Sequence, residues 1–157
     1  TPMQWSAEKT AGFSPADKLI HPVIDKGEYD YKSINVETQQ RTSGSLLNWM
    51  TSLIRMRQDC VEIGLGEWQL INTGVDEVMA MLYLYEHSCL CVFHNFDSKP
   101  HTCEVNFGKH RIRKLINMLA MDESLEDAKG VHHIRLEAYG YRWFRVSGLG
   151  HFTEKKG

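Results

Sequence analysis

TPMQWSAEKTAGFS, residues 1–14, decides how the rest of the chain is read. Pro2, Gly12 and Pro15 interrupt any helical or strand period, so the segment is expected to be an irregular loop. Yet it carries Trp5 and Phe13, large aromatics that a solvated loop does not need. A loop with such side chains leans on something.

The loop character continues. KLIHPVIDKGEYDYKSINVETQQRTSGS, residues 18–45, has short apolar snatches and no sustained period. Long structureless stretches of this kind are functional or supported by another body. Asp25, Glu28 and Asp30 fall close together here. Paired carboxylates can act as acid and base in glycoside hydrolysis. Nothing around these three predicts burial, and they read as a solvated acidic turn.

The pattern then changes. In SGSLLNWMTSLIRMRQD, residues 43–59, Leu46, Trp49, Met50, Leu53, Ile54 and Met56 recur at helical spacing. Ser43 or Ser45 can cap the start, and Gly64 can follow the end. The spacing predicts one amphipathic helix over residues 45–60. Beyond it the period is two. EWQLIN, EVMAMLYLYE, CLCVFHNF and HTCEVNF read as strands, with HSC (87–89) and DSKP (97–100) as connections. RKLINML is assigned strand, MDESLEDAKG an acidic loop, and HIRLEAYGYRWFRV a final strand or strand pair bent at Gly140. Short strands between turn signals predict an antiparallel β-sandwich, making the chain mainly β.

Composition limits function. The 157 residues are 42% hydrophobic, enough to fill a core, and carry a formal charge of −2, which gives no attraction to nucleic acid or anionic lipid. The basic run 109–114 reads as a solvated turn. No stretch is long and apolar enough to cross a bilayer, and none has the layout of a secretory leader. Cys60, Cys89, Cys91 and Cys103 read as buried free thiols, which points to a reducing, cytoplasmic setting. His132 and His133 would face opposite ways on a strand, which is wrong for shared metal ligation. No nucleophile elbow, phosphate loop or metalloprotease motif is present. On its own chemistry the chain offers no active site.

The opening segment resembles the α-amylase family, glycoside hydrolase family thirteen. TPMQW…AGF is similar to the stretch that follows the last barrel strand in those enzymes. HPVIDKGEYDYKSINVETQ and SLLNWMTSLIRMRQ are similar to the next segment and the last barrel helix, on the trehalose synthase side of the family. GLGEWQLINTG, VFHNF and AYGYRWFRV resemble the C-terminal β-domain. The stretch 109–131 resembles nothing recognisable.

The resemblance implies that residues 1–62 are the end of a (β/α)8 barrel, 63–150 a C-terminal β-sandwich and 151–157 a tail. The opening loop would then lie at the barrel's C-terminal face, where such barrels place active sites. Trp5 and Phe13 would pack at the rim of a sugar pocket or, the commoner use, anchor the loop there, and Gln4 would bond either a hydroxyl or loop backbone. The family's Asp nucleophile, Glu acid/base and stabilising Asp come from earlier strands, so no catalytic residue is carried over. No cofactor or metal is assigned. The partner implied is the missing catalytic barrel, with maltose, trehalose or α-glucan handled only through the complete enzyme.

A second reading is a stand-alone carbohydrate-binding module. Trp68, Tyr139, Tyr141 and Trp143 would supply its platform, the last three sharing a face if their strand is unbroken. Burial of Trp143 speaks for the first reading and exposure for the second. The apolar stripe on the predicted helix would also favour a homodimer.

Overall fold

The computed structural model describes residues 1–108, 110 and 112–146, so the tail 151–157 and part of the basic run lie outside the described residues. The chain divides into two compact units, Thr1–Asp59 and Cys60–Gly157.

In the first unit the opening stretch folds back on itself. Thr10, Ala11 and Gly12 are all left-handed, at φ 56°, 57° and 64°, within a single turn over Lys9–Gly12. The turn aims the Ala11 carbonyl at the N–H groups of both Trp5 (2.9 Å) and Ser6 (3.1 Å). A Cβ on Gly12 would sit 2.6 Å from Ser6 Oγ, so only glycine fits there. The spacing between Trp5-Ser6 and Ala11-Gly12 is thus one closed loop.

Two helices follow. α1 (Val36–Arg41) lies inside the stretch expected to be loop. It has no apolar period, and its start is set by Asn35, whose side chain accepts from the Thr38 N–H at 2.9 Å. α2 (Leu46–Asp59) is the expected amphipathic helix. Ser45 caps it, accepting from the Asn48 N–H at 3.2 Å, and the Gln39 side chain accepts from the Leu47 N–H at 3.1 Å. No residue of α2 is fully buried.

The second unit begins with α3 (Val61–Leu65), a single turn that contains Gly64, the residue expected to follow the preceding helix. Among the described residues eight strands come next: β1 (Glu67–Ile71), β2 (Val78–Tyr85), β3 (Ser88–Asn95), β4 (His101–Val105), β5 (Lys114–Asn117), β6 (Glu123–Leu125), β7 (His132–Leu136) and β8 (Tyr141–Val146). All pairings are antiparallel. One sheet has the order β1-β2-β3-β8-β5-β6, and the other pairs β4 with β7.

The result is the expected antiparallel sandwich, with unequal layers. Ala80, Leu82, Cys91, Phe93, Leu115 and Phe144 from the large sheet meet Cys103, Val105, Ile134 and Leu136 from the small one. Phe93 and Phe144 meet edge to face, centroids 6.0 Å apart. His132, fully buried, joins the layers: Nε2 bonds the Ile112 carbonyl at 2.8 Å and Nδ1 the Ser124 hydroxyl at 3.0 Å. His133 faces outward, as alternation requires.

Two expectations need correction. The turn placed at HSC lies at Glu86–His87, where Glu86 adopts φ 50°, and Ser88 and Cys89 belong to β3. The acidic loop 121–130 contains β6, which backbone pairing with β5 holds straight despite its charge. The final segment is the strand pair that was allowed for, its two strands in different sheets because the chain crosses between layers at residues 137–140.

Candidate functional site

The residues singled out from sequence fall in two places. In the first unit, Gln4 is a tie for the loop. Its amide donates to the carbonyls of Tyr29 (3.0 Å) and Ile34 (2.7 Å), while its backbone carbonyl accepts from Val36 N–H at 2.9 Å. Trp5 accepts from Glu37 N–H at 3.0 Å in the same way. These bonds hold residues 29–37 against the opening loop and leave the Trp5 ring half exposed, at 50%. Phe13, also half exposed, helps line an open recess of about 500 Å³ with Pro2, Met3, Leu19 and His21. Asp25 and Glu28 are exposed. Asp30 caps a turn by accepting from the Lys32 N–H at 2.9 Å. These carboxylates do not converge on a common point with a buried partner.

In the second unit, Tyr141 and Trp143 lie on β8 with side chains on the sheet face opposite the core of Phe144 and Val146. Trp143 is only 9% exposed, and its buried indole N–H meets no acceptor among the described residues. A ring so covered cannot offer its face to a sugar. Tyr139 does not continue the alternation. It stands in the turn before β8 at φ 53°, where the strand has not begun, and is 67% exposed. Trp68 on β1 is 61% exposed and pairs in register with Tyr83.

One cluster was not singled out from sequence. Phe96, His94 and Tyr141 form a row of nearly parallel rings, with centroids 6.3 Å and 6.4 Å apart. His94 and Tyr141 are directly paired across β3 and β8. The alternation in VFHNF, which sends His94 and Phe96 outward from a core facing Phe93, was the signal. Burial lowers the His94 pKa, so the imidazole stays neutral to a lower pH than an exposed histidine does.

Beneath the row, buried Asn95 staples two loops. Its Nδ2 donates to the carbonyls of Lys99 and Glu137, both at 2.7 Å, and its Oδ1 accepts from Asp97 N–H at 2.9 Å. The His101 ring bonds Asp97 at 2.8 Å and holds that carboxyl below its usual range. Glu137 is held low as well, first by its own backbone N–H and then by Arg142.

The remaining titratable groups are structural. All four cysteines are buried. Burial pushes Cys89 up to about 12, helped by nearby Glu62, and raises Cys91 well above the ordinary thiol range. Glu62, buried in α3, meets the Ser88 hydroxyl and lies 3.6 Å from Arg145. Among the described residues no group of three metal-ligating side chains converges, and no helix is long and apolar enough to cross a membrane.

Comparison with known proteins gives these units a context. Residues 1–64 match the model of the α-amylase catalytic domain, and residues 88–145 that of the sucrose hydrolase-like C-terminal domain. The trehalose synthase of Pimelobacter sp. is 28% identical over 156 residues, covering 94% of this chain and 27% of its own length. The trehalose synthase/amylase of Mycolicibacterium smegmatis is 28% identical over 160 residues, covering 93% of this chain and 26% of its own. The chain therefore spans about a quarter of the length of the curated relatives it matches. Its fold is similar to that of Bacillus licheniformis trehalose-6-phosphate hydrolase, with a TM-score of 0.69 at 23% identity, over 94% of this chain and 26% of that one. Two family models matched at residues 1–64 and 88–145, and relatives aligned along nearly the whole chain, make this protein similar to enzymes of the α-amylase family, glycoside hydrolase family thirteen.

Proposed function

We propose that this chain is the closing portion of a trehalose synthase-like enzyme. It supplies the last loop and helix of the catalytic barrel together with the C-terminal β-domain, and it holds no complete active site. The observation that carries this reading is the continuous alignment of 94% of the chain with 27% of a trehalose synthase. On this reading residues 1–62 finish the barrel and 63–150 form the β-domain.

The chemistry supports the same view. Retaining glycoside transfer needs two carboxyl groups about 5 Å apart on a rigid scaffold. In the first unit the carboxylates nearest one another in sequence, Asp25, Glu28 and Asp30, are turn residues with solvent access. What the opening loop offers instead is positioning. Gln4 and the left-handed Thr10–Gly12 turn fix the backbone around Trp5, so that its ring stands at a set place on the barrel rim. Maltose, trehalose or α-glucan would be handled by the complete enzyme, in a reducing cytoplasm that suits its buried cysteines.

A chimera tests the proposal. This chain would replace the matching closing quarter of the Pimelobacter trehalose synthase, and trehalose formed from maltose would be followed by NMR. Retained conversion is expected. A soluble, cooperatively folded chimera that neither isomerises nor hydrolyses maltose would contradict it.

A further inference from the structure

One margin of the large sheet is left open. Among the described residues β1 pairs with β2 alone. A sheet margin carries backbone N–H and C=O groups without a partner, and soluble proteins blunt it with Lys, Pro, a bulge or a covering segment. EWQLI has no Lys or Pro, and its five residues pair with β2 in unbroken register. Four of the five are exposed, Trp68 at 61% and Leu70 at 65% among them. The opposite margin is different: β6 is three residues long and carries Glu123, which is paired with Lys114.

Hydrogen-bond alternation fixes which groups of β1 look outward. Phe96, the residue after β3, donates its N–H to the carbonyl of Glu77, the residue before β2, at 2.9 Å. Glu77 thus bonds towards β3, and so does every second residue after it, up to Tyr85 beside the two-residue turn. The alternate residues bond towards β1: Ala80 to Ile71, Leu82 to Gln69 and Leu84 to Glu67. That leaves the N–H and C=O of Trp68 and Leu70 facing away from the sheet. Their side chains share its outer face with their register partners Tyr83 and Met81.

The strand is its own complement. Set antiparallel about a twofold axis at Gln69, Trp68 of one copy stands opposite Leu70 of the other. These are the outward-facing residues, and each pair exchanges both N–H···O bonds. Gln69 meets Gln69 in the alternate, non-bonded position. Glu67 meets Ile71, so no like charges are opposed. A shift of one residue would set outward-facing groups against groups already bonded to β2, and a shift of two would shorten the overlap to three residues of β1. EWQLI itself supplies every partner it needs, so a second copy is the occupant that it fits. Five residues a side bury less than the roughly 1,200 Å² of a stable complex, which makes the contact weak and reversible.

We propose that two copies of this chain associate through β1, joining their large sheets edge to edge into one continuous sheet across a twofold axis at Gln69. The contact rests on the second unit alone. It depends neither on the enzyme reading above nor on α2.

Gln69→Cys in the full chain tests the register. A non-bonded antiparallel pair brings its Cα atoms to about 4.5 Å, within disulfide reach. The native cysteines are all buried, so the new thiol is the accessible one. At about 100 μM, under mild oxidation, Gln69→Cys should become a covalent dimer. Glu67→Cys, also exposed but opposite Ile71, should cross-link at least about tenfold more slowly. Adding Trp68→Lys/Leu70→Lys to Gln69→Cys opposes like charges and should slow cross-linking by about tenfold, whereas Trp68→Lys/Leu70→Glu opposes unlike charges and should recover most of that loss. All of these positions are exposed, so thermal midpoints should hold. Equal rates for the Gln69→Cys and Glu67→Cys chains would overturn the proposal. So would a native chain that light scattering finds monomeric at about 1 mM. Cross-linking abolished by Ile54→Glu but untouched by Trp68→Lys/Leu70→Lys would overturn it by moving the contact to α2.

Discussion

At the scale of single residues, the buried thiols give the sharpest expectation. Cys89 rises from the ordinary value of 9.0 to about 12 and Cys91 rises too, both chiefly through burial. The folded state keeps these protons where the unfolded chain releases them. Stability is therefore complete below pH 9 and falls as pH climbs from 9 towards 12, by about 1.4 kcal/mol per pH unit for each thiol. Urea titrations at stepped pH check the slope. A thiol reagent at neutral pH should react slowly with the folded chain and rapidly with the unfolded one. Asn95 is the second case. It is 3% exposed and makes three bonds to two loops. Asn95→Ala should cost about 2–3 kcal/mol, since it leaves buried backbone groups unpaired. Alternation in sequence showed which way His94 and Phe96 face. It did not show the staple beneath them, because Asn95 bonds Glu137 across 42 residues.

At the scale of elements, what was legible depended on where the ordering forces came from. α2 was legible because its apolar residues repeat at helical spacing, and HTCEV because its inward and outward residues alternate. α1 was hidden because a capping side chain, not an apolar face, determines it. β6 was hidden because its pairing with β5 overrides an acidic composition. Tyr139 lies off the strand face because the strand is broken before Tyr141, where Tyr139 takes a positive φ. The cap on α2 is open to test. Ser45→Ala should lower stability by about 1 kcal/mol and reduce helical circular dichroism. α2 also leaves Leu46 at 68% and Ile54 at 52% exposure, and Leu65 of α3 is at 68%. Apolar area of this kind favours association, at roughly 25 cal/mol per Å² covered. Light scattering should find concentration-dependent association that Ile54→Glu weakens, whereas association unmoved by Ile54→Glu would show that the stripe is tolerated in water.

At the scale of the whole molecule, the family was legible in short motifs whose physical basis emerges only in three dimensions. TPMQW and AGF belong together because the Ala11 carbonyl receives two N–H groups from Trp5 and Ser6. On the proposed reading the catalytic trio belongs to earlier barrel strands, outside the motifs that were legible. The central claim is that this chain positions and supports but does not catalyse. Rigorously purified protein incubated with maltose, with trehalose and glucose followed by NMR, tests it most directly. The expected result is no product above a protein-free blank at any chain concentration. Trehalose or glucose that forms in proportion to the chain, and co-elutes with it through successive columns, would contradict the account.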